Sequence, residues 1–404
     1  MLLDVVAVAC TSTLAASPIA STLAIDGTPQ HTLSPTLYSL FFETEINFGG
    51  EGGVYAELVA NRDFETLGRG RIPSTTPSSS LDDAASPPHL DPREPAAIPT
   101  DFRPWASVHG ATISIDNMTA PFGSNPNSLK VVAAAGGLTG AGASNPGYWG
   151  IAVRPHISYN LTLYGCSSTA GATLRLSAHL TTADGSTVLA TAELQPTTAD
   201  PTAPVMAPGW VRFKATLKSA TSLVQSAALE IVLADDHQDG TYWLDGVSLI
   251  PSDAVGGTFR RDALERLRDL KPGFMRTPGG NYLEGTGMRT RWDWKATLGP
   301  PAARRGHYNS AWGYWVTDGL GVYELLSMCE LLNSTCQMSV YTGYSMGRAY
   351  VPMNESEQFA QDAVDMLDFA NGAPASSKYV RRTARFLAHY LHARCSMLDA
   401  RCSP

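Results

Sequence analysis

The sequence predicts a multidomain chain of mixed class, in which part of a parallel α/β sheet with crossover helices is interrupted by an all-β antiparallel sandwich. Three observations carry this. Apolar residues alternate with period two in about seven short runs between residues 104 and 251. Beyond residue 252 the pattern changes to helix, strand, helix, strand, helix, which is the signature of parallel strands joined by crossovers. A lone apolar run, LYSLFF at Leu37 to Phe42, precedes the sandwich and ends on carboxylates, as a first strand of that same sheet would.

The elements follow in order. Residues 1–21 (MLLDVVAVACTSTLAASPIAS) carry a short apolar run and a small-residue tail of the kind a signal peptidase accepts, although Asp4 stands where a basic residue is usual. Residues 22–71 hold the first strand and its loop. Residues 72–103 are dense in Pro, Ser and Asp without periodicity, a linker that cannot bury a core. The sandwich, residues 104–251, reads SLKVVAAA, YNLTLYG, TLRLSAHL, TVLATAEL, WVRFKATL, ALEIVLAD and TYWLDGVSLI, with Gly, Asp and Pro turns between. In residues 252–378, TFRRDALERLRDLK places Phe259, Ala263, Leu264, Leu267 and Leu270 on one side and stops at Pro272-Gly273. GFMRTPGGN is the next strand. TDGLGVYELLSMCELLN turns Leu320, Leu325, Met328 and Leu332 inward, QMSVYTG is a buried strand, and SEQFAQDAVDMLDFANG is a third helix with Asn354 or Ser356 at its N-cap. Asp362, Asp365 and Asp368 fall on the polar side of that helix as a solvated face. Residues 379–404 form a basic, helix-prone tail.

Composition narrows the function. The 404 residues are 44% hydrophobic and 16% charged, enough apolar material for a core and too little charge for disorder. Lys and Arg number 29 against 37 Asp and Glu, a net charge of −8, and no basic run is present, so nucleic acid is excluded as a partner. No run of 18 apolar residues exists, which excludes a membrane-spanning helix. The cysteines Cys10, Cys166, Cys329, Cys336, Cys395 and Cys402 show no C-x-x-C or Cys/His spacing, so neither a metal nor another cofactor is expected. Cys329 and Cys336 are equally well read as buried thiols or a disulfide. Sequons at Asn117, Asn160, Asn333 and Asn354 agree with a secreted, extracellular protein.

Chemistry concentrates after the second parallel strand. Met275-Arg276-Thr277-Pro278-Gly279-Gly280-Asn281 sits at a strand's C-terminal end, where parallel folds place their ligands. Arg276 offers a rigid fork of donors and Asn281 both donor and acceptor, a fitting pair for ring hydroxyls, against the alternative of a structural turn with Arg276 in an ion pair. The following loops hold Trp292, Trp294, Trp312 and Trp315. Trp292, Trp294 and Trp315 are assigned to loop packing. Gly343-Tyr344-Ser345-Met346-Gly347 matches the nucleophile elbow of serine hydrolases, but no helix starts after the serine and no oxyanion segment precedes it, so a strand-end loop is the better assignment.

Five ordered segments, FFETEINFGGEGGVYAELVANRDFE, LKPGFMRTPGGNYLEG, WDWKATLGPPAARRGHYN, WGYWVTDGLGVYELLSMCELLN and QDAVDMLDFANG, resemble successive motifs of family 51 of the glycoside hydrolases, the α-L-arabinofuranosidases. The resemblance implies strands one to three of a (β/α)8 TIM barrel with an inserted, jelly-roll-like module of carbohydrate-binding type. It implies hydrolysis, with retention, of terminal α-L-arabinofuranosyl groups of cell-wall polysaccharides, arabinose-containing chains being the partner. It carries the family's sugar contacts onto Glu43, Arg276, Asn281 and Trp312. Where the common pattern reads FFEEIN this chain reads FFETEIN, which makes Glu45 an alternative to Glu43. It also implies that the two catalytic glutamates, at the ends of strands four and seven, are missing here, so the chain is expected to be a truncated product, inactive by itself. The alternative function is a non-catalytic carbohydrate-binding protein that acts through the sandwich, with Trp105, Tyr148, Trp149, Trp210 and Trp243 as platform aromatics; for Trp210 and Trp243, which lie within strands, core packing is the better assignment.

Overall fold

The computed structural model describes residues 31–65, 101–133, 140–169, 174–197, 205–219, 222–234 and 240–371. The signal-peptide segment 1–21, the linker up to residue 100 and the tail 379–404 lie outside the described residues, as do Cys10, Cys395 and Cys402.

Two antiparallel sheets form the sandwich, and they use more strands than the seven alternating runs suggest. One is ordered Gln195–Pro196, Trp210–Lys218, Ser158–Ser167, Thr241–Pro251, Ser128–Val132, Thr112–Asp116. The other is ordered Ala106–Val108, Gly142–Asn145, Val224–Leu233, Leu176–Thr182, Val188–Glu193, with Ile151–Val153 also on the central strand. The strands missed from sequence are short, at two to five residues, too brief to show a period. In the long strands the alternation is literal. Tyr159, Leu161 and Leu163 are buried while Asn160 faces out, and they meet Leu229, Ile231, Tyr242, Leu244 and Leu249 in one continuous core.

A three-stranded parallel sheet, ordered Leu40–Phe41, Phe274–Thr277, Thr335–Met338, adjoins it. Leu40 pairs with Met275 and Phe41 with Arg276, and Arg276 pairs in turn with Gln337. Helices Arg261–Asp269 and Val322–Leu331 cover one face through Leu264, Leu325 and Met328, all fully buried. Leu270, expected inward, is 45% exposed because the first helix has ended at Asp269 before that position. The third strand is not the buried one the sequence suggests: Thr335 and Gln337 are exposed, since this strand is the sheet's edge among the described residues. The first strand likewise presents Phe41 at 70% exposure.

The third helix, Glu357–Asn371, departs from two expectations. Ser356 does not cap it; its hydroxyl donates to the Met353 carbonyl. Its acidic side is not wholly solvated either, because Asp365 is buried and, with Asp362, grips the Lys295 ammonium, leaving only Asp368 facing solvent. Cys329 and Cys336, facing each other from helix and strand, are free thiols.

Residues 48–65 sew the two units together. Ala56 N–H donates to Thr258 O, Leu58 N–H to Leu249 O and Val247 N–H to Arg62 O, while Val59 and Phe64 enter the sandwich core. The Asn145 side chain clasps both backbone groups of Ala60.

Candidate functional site

The parallel register builds the site. Because Phe41 lies beside Arg276, the two residues after Phe42 and the Pro-Gly-Gly turn after Thr277 leave the sheet together, and Thr44 N–H still donates to Pro278 O at 2.8 Å. Glu43 therefore lies against the turn, and its Oε1 accepts the Tyr282 N–H at 2.7 Å. Gly279 makes room: it has φ +125, and a Cβ there would lie 2.2 Å from Glu43 Cγ. The Arg276 guanidinium rests 4.8 Å from the centroid of the Phe41 ring and beside Gly280, and no carboxylate among the described residues pairs with it. Its Nε points to Ser339 Oγ at 3.5 Å, on the loop after the third strand. Asn281 is exposed and its amide makes no hydrogen bond to the described residues. Glu43, Arg276 and Asn281 thus converge at the C-terminal ends of adjacent strands, with a planar donor fork, a carboxylate and a free amide, and the ion-pair alternative for Arg276 is not realised.

Trp312 arrives from a hairpin, His307–Asn309 with Tyr314–Val316. Asn309 holds it in place, accepting the Trp312 N–H at 3.2 Å through Oδ1 and donating to Glu45 O at 3.0 Å through Nδ2. The Trp312 indole N–H is buried without an acceptor, so this side chain retains a donor. Glu45, the alternative to Glu43, is fully buried below: its Oε1 accepts Glu51 N–H and its Oε2 lies 3.2 Å from the Tyr314 hydroxyl. The extra Thr44 thus separates one carboxylate at the strand end from one in the interior.

Glu45 opens an acidic seam between the units that sequence reasoning missed, comprising Glu51, Glu57, Asp63, Asp245 and Asp318 around Arg62, all buried. Glu51 accepts hydrogen bonds from Thr317 and, at 3.3 Å, from the Tyr148 hydroxyl. Burial pushes its carboxyl up to about 7, against the opposing pull of the Thr317 hydrogen bond and Arg62. Burial likewise pushes Asp63 up to about 6 and holds Glu45 and Asp245 well above the carboxylate range. Four of the acids, Glu45, Glu51, Glu57 and Asp63, follow one another at six-residue intervals in a single segment, and Asp245 and Asp318 arrive from distant ones; their common burial is what joins them, and the sequence does not announce it. Among the described residues no set of His, Cys, Asp and Glu is placed to hold a metal ion.

Other expected groups fall elsewhere. Of the five platform aromatics, Trp105, Tyr148 and Trp210 are buried in packing, and Trp243 donates its indole N–H to Asp116 under the Lys130 ammonium; Trp149 alone is open, at 51% exposure. Ser345 is fully buried, with its hydroxyl donating to Glu284 O and bonded to Tyr341. It has no route to act as a nucleophile. Trp292 and Trp294 are buried in the α/β core, and Trp315 packs against Gly306. Asn117, Asn160, Asn333 and Asn354 are all exposed.

Residues 266–386 match the family model described as the alpha-L-arabinofuranosidase 1 domain. The chain is 31% identical over 344 residues to alpha-L-arabinofuranosidase 1 of Arabidopsis thaliana, covering 83% of this chain and 44% of the relative. It is 29% identical to alpha-L-arabinofuranosidase 2 of the same plant, covering 87% and 47%. Among solved structures it resembles an arabinose-bound MgGH51 α-L-arabinofuranosidase, with a TM-score of 0.70 at 29% identity, covering 87% of this chain and 51% of that one. The chain therefore spans about half the length of these relatives.

Proposed function

We propose, on the premise that this chain belongs to family 51 of the glycoside hydrolases, the α-L-arabinofuranosidases, that its strand-end cluster receives a terminal α-L-arabinofuranosyl group of a cell-wall polysaccharide. The observation that carries this is the register pairing Phe41 with Arg276, which brings Glu43 onto Gly279 while leaving the Arg276 guanidinium without a carboxylate partner among the described residues and the Asn281 amide exposed. Donors and acceptors so arranged fit the vicinal hydroxyls of a furanose, and Trp312, its indole N–H buried, stands on the neighbouring hairpin that Asn309 ties to Glu45. The three parallel strands are strands one to three of a (β/α)8 barrel, and the exposed Phe41 face is the side that further strands would close over.

The reaction of the family is hydrolysis with retention. It needs two carboxyl groups about 5 to 5.5 Å apart, one to attack the anomeric carbon and one to protonate the leaving oxygen. Glu43 is committed to the Tyr282 amide, and the carboxyls that burial raises lie in the seam beneath the site. What this cluster supplies is accordingly the grip on the sugar, and a reacting pair of carboxyls is not assigned to its described residues.

Titration of the purified polypeptide with methyl α-L-arabinofuranoside tests the site. Saturable binding that Arg276→Ala weakens is expected, and no binding by the unmodified chain would sink the assignment. Release of the aryl group from an aryl α-L-arabinofuranoside would overturn the separation of binding from turnover.

A further inference from the structure

We infer that Trp149, carried by the sandwich, is a second sugar platform of this same site, and that it takes a residue of the chain to which the terminal furanosyl group is attached. The inference rests on the sugar-binding assignment above. Its basis is position, rigidity and exposure together. Trp149 stands on a tight turn between strands Gly142–Asn145 and Ile151–Val153, with positive φ at Gly147 and Gly150 on either side. Its indole N–H donates to Gly52 O at 2.8 Å, which fixes the ring across the seam, and the Phe48 ring lies nearly perpendicular to it, at 85° with centroids 5.7 Å apart. Phe48 in turn stacks on Tyr314 at 4.0 Å, and Tyr314 belongs to the hairpin that carries Trp312. Trp149 is nonetheless 51% exposed.

An indole whose only polar atom is satisfied and whose ring is held against one aromatic neighbour has a fixed apolar surface, with no ring contact besides Phe48 among the described residues. That is what the C–H surface of a sugar ring stacks on. The distance suits an oligosaccharide. Ile46 N–H donates to Glu43 O and Gly49 N–H to Ile46 O, two successive turns, each of which keeps its end Cα atoms within about 7 Å. Gly49 is then at most about 14 Å from Glu43, and Phe48, the residue touching Trp149, precedes it. A ligand bound by its terminal ring at Arg276 reaches the indole with the next few residues of its backbone.

Binding of methyl α-L-arabinofuranoside, an arabinose-substituted xylo-oligosaccharide and an arabinan oligosaccharide is measured by calorimetry for the full chain and for Trp149→Ala, Trp149→Phe and Arg276→Ala. The expected result is that at least one oligosaccharide binds about tenfold tighter than the simple glycoside, a difference of about 1.4 kcal/mol. Trp149→Ala removes that gain and leaves the simple glycoside unchanged, Trp149→Phe restores part of it, and Arg276→Ala weakens all three ligands. Which oligosaccharide shows the gain identifies the backbone. If the simple glycoside binds but neither oligosaccharide binds tighter, or if Trp149→Ala weakens the simple glycoside equally, the platform is refuted while the Arg276 site stands. If no ligand binds the unmodified chain, the sugar-binding assignment fails and the platform with it.

Discussion

The sandwich and the three-stranded parallel sheet are made of similar apolar strands, yet they dispose of their hydrophobic surface in opposite ways. In the sandwich two sheets face each other, so Leu161, Leu229, Ile231 and Leu244 all reach zero exposure, and its exposed apolar residues, such as Met118 and Val188, are scattered. In the parallel sheet, among the described residues, helices cover one face only. Phe41 is 70% exposed, and Leu37 and Tyr38 beside it are 67% and 57% exposed. A strand's composition therefore does not decide its burial; the presence of a second layer does. The sheet is held instead by its helical side and by polar clamps, chief among them the two-pronged Arg304–Glu324 pair at 2.8 and 3.0 Å, where Arg304 also donates to the Gly299, Asp318 and Gly319 carbonyls.

That contrast can be broken at its strongest point first. Arg304→Ala leaves Glu324 buried and uncompensated and is expected to destabilise the α/β unit by about 3–5 kcal/mol. Hydrogen exchange should show lost protection in Phe274–Thr277 and Val322–Leu331 with the sandwich strands unaffected; uniform loss across both units would mean that they unfold as one. Next, Leu229→Ala in the sandwich should cost about 2–5 kcal/mol in denaturant unfolding. Phe41→Ala, an equally apolar strand position, should change stability by no more than about 0.5 kcal/mol. Self-association measured by sedimentation should fall for Phe41→Ser, because the open face is the sticky one; unchanged association would show that this face is not what drives it.

The smallest effect lies at the seam. Glu51 and Asp63 have folded-state pKa values raised to about 7 and about 6, so the folded chain holds these protons after the unfolded chain has released them near pH 4. The stability they contribute is complete below about pH 4 and is lost as pH rises through about 7. In Glu51→Gln the melting temperature should fall less between pH 4.5 and pH 7.5 than in the unmodified chain, and identical slopes would exclude Glu51 as a titrating group of the interface.

Much of the architecture was legible because burial at two-residue or 3.6-residue spacing is a local property. The runs around Leu161, Phe213 and Leu244 became sandwich strands, and Leu325, Met328 and Leu332 point inward on their helix. The candidate site was partly legible for the same reason, since Arg276 and Asn281 belong to one contiguous turn motif. Its other half was not. Ser339, Phe41 and the Asn309–Glu45 clasp join it through strand register and a hairpin, contacts that no spacing in the chain records.

By itself the sequence determined the two kinds of element, their order along the chain and the Pro-Gly-Gly turn that bears Arg276, because periodicity, turn chemistry and backbone permissiveness act over a few residues. Tertiary structure decided the rest: that Glu43 and not Glu45 stands at the strand end, that one of five aromatics stays open, that six acids share a buried seam, and that the third strand is an edge among the described residues. Each of those depends on which distant segment arrives alongside, and only the packing of two units against each other supplies that.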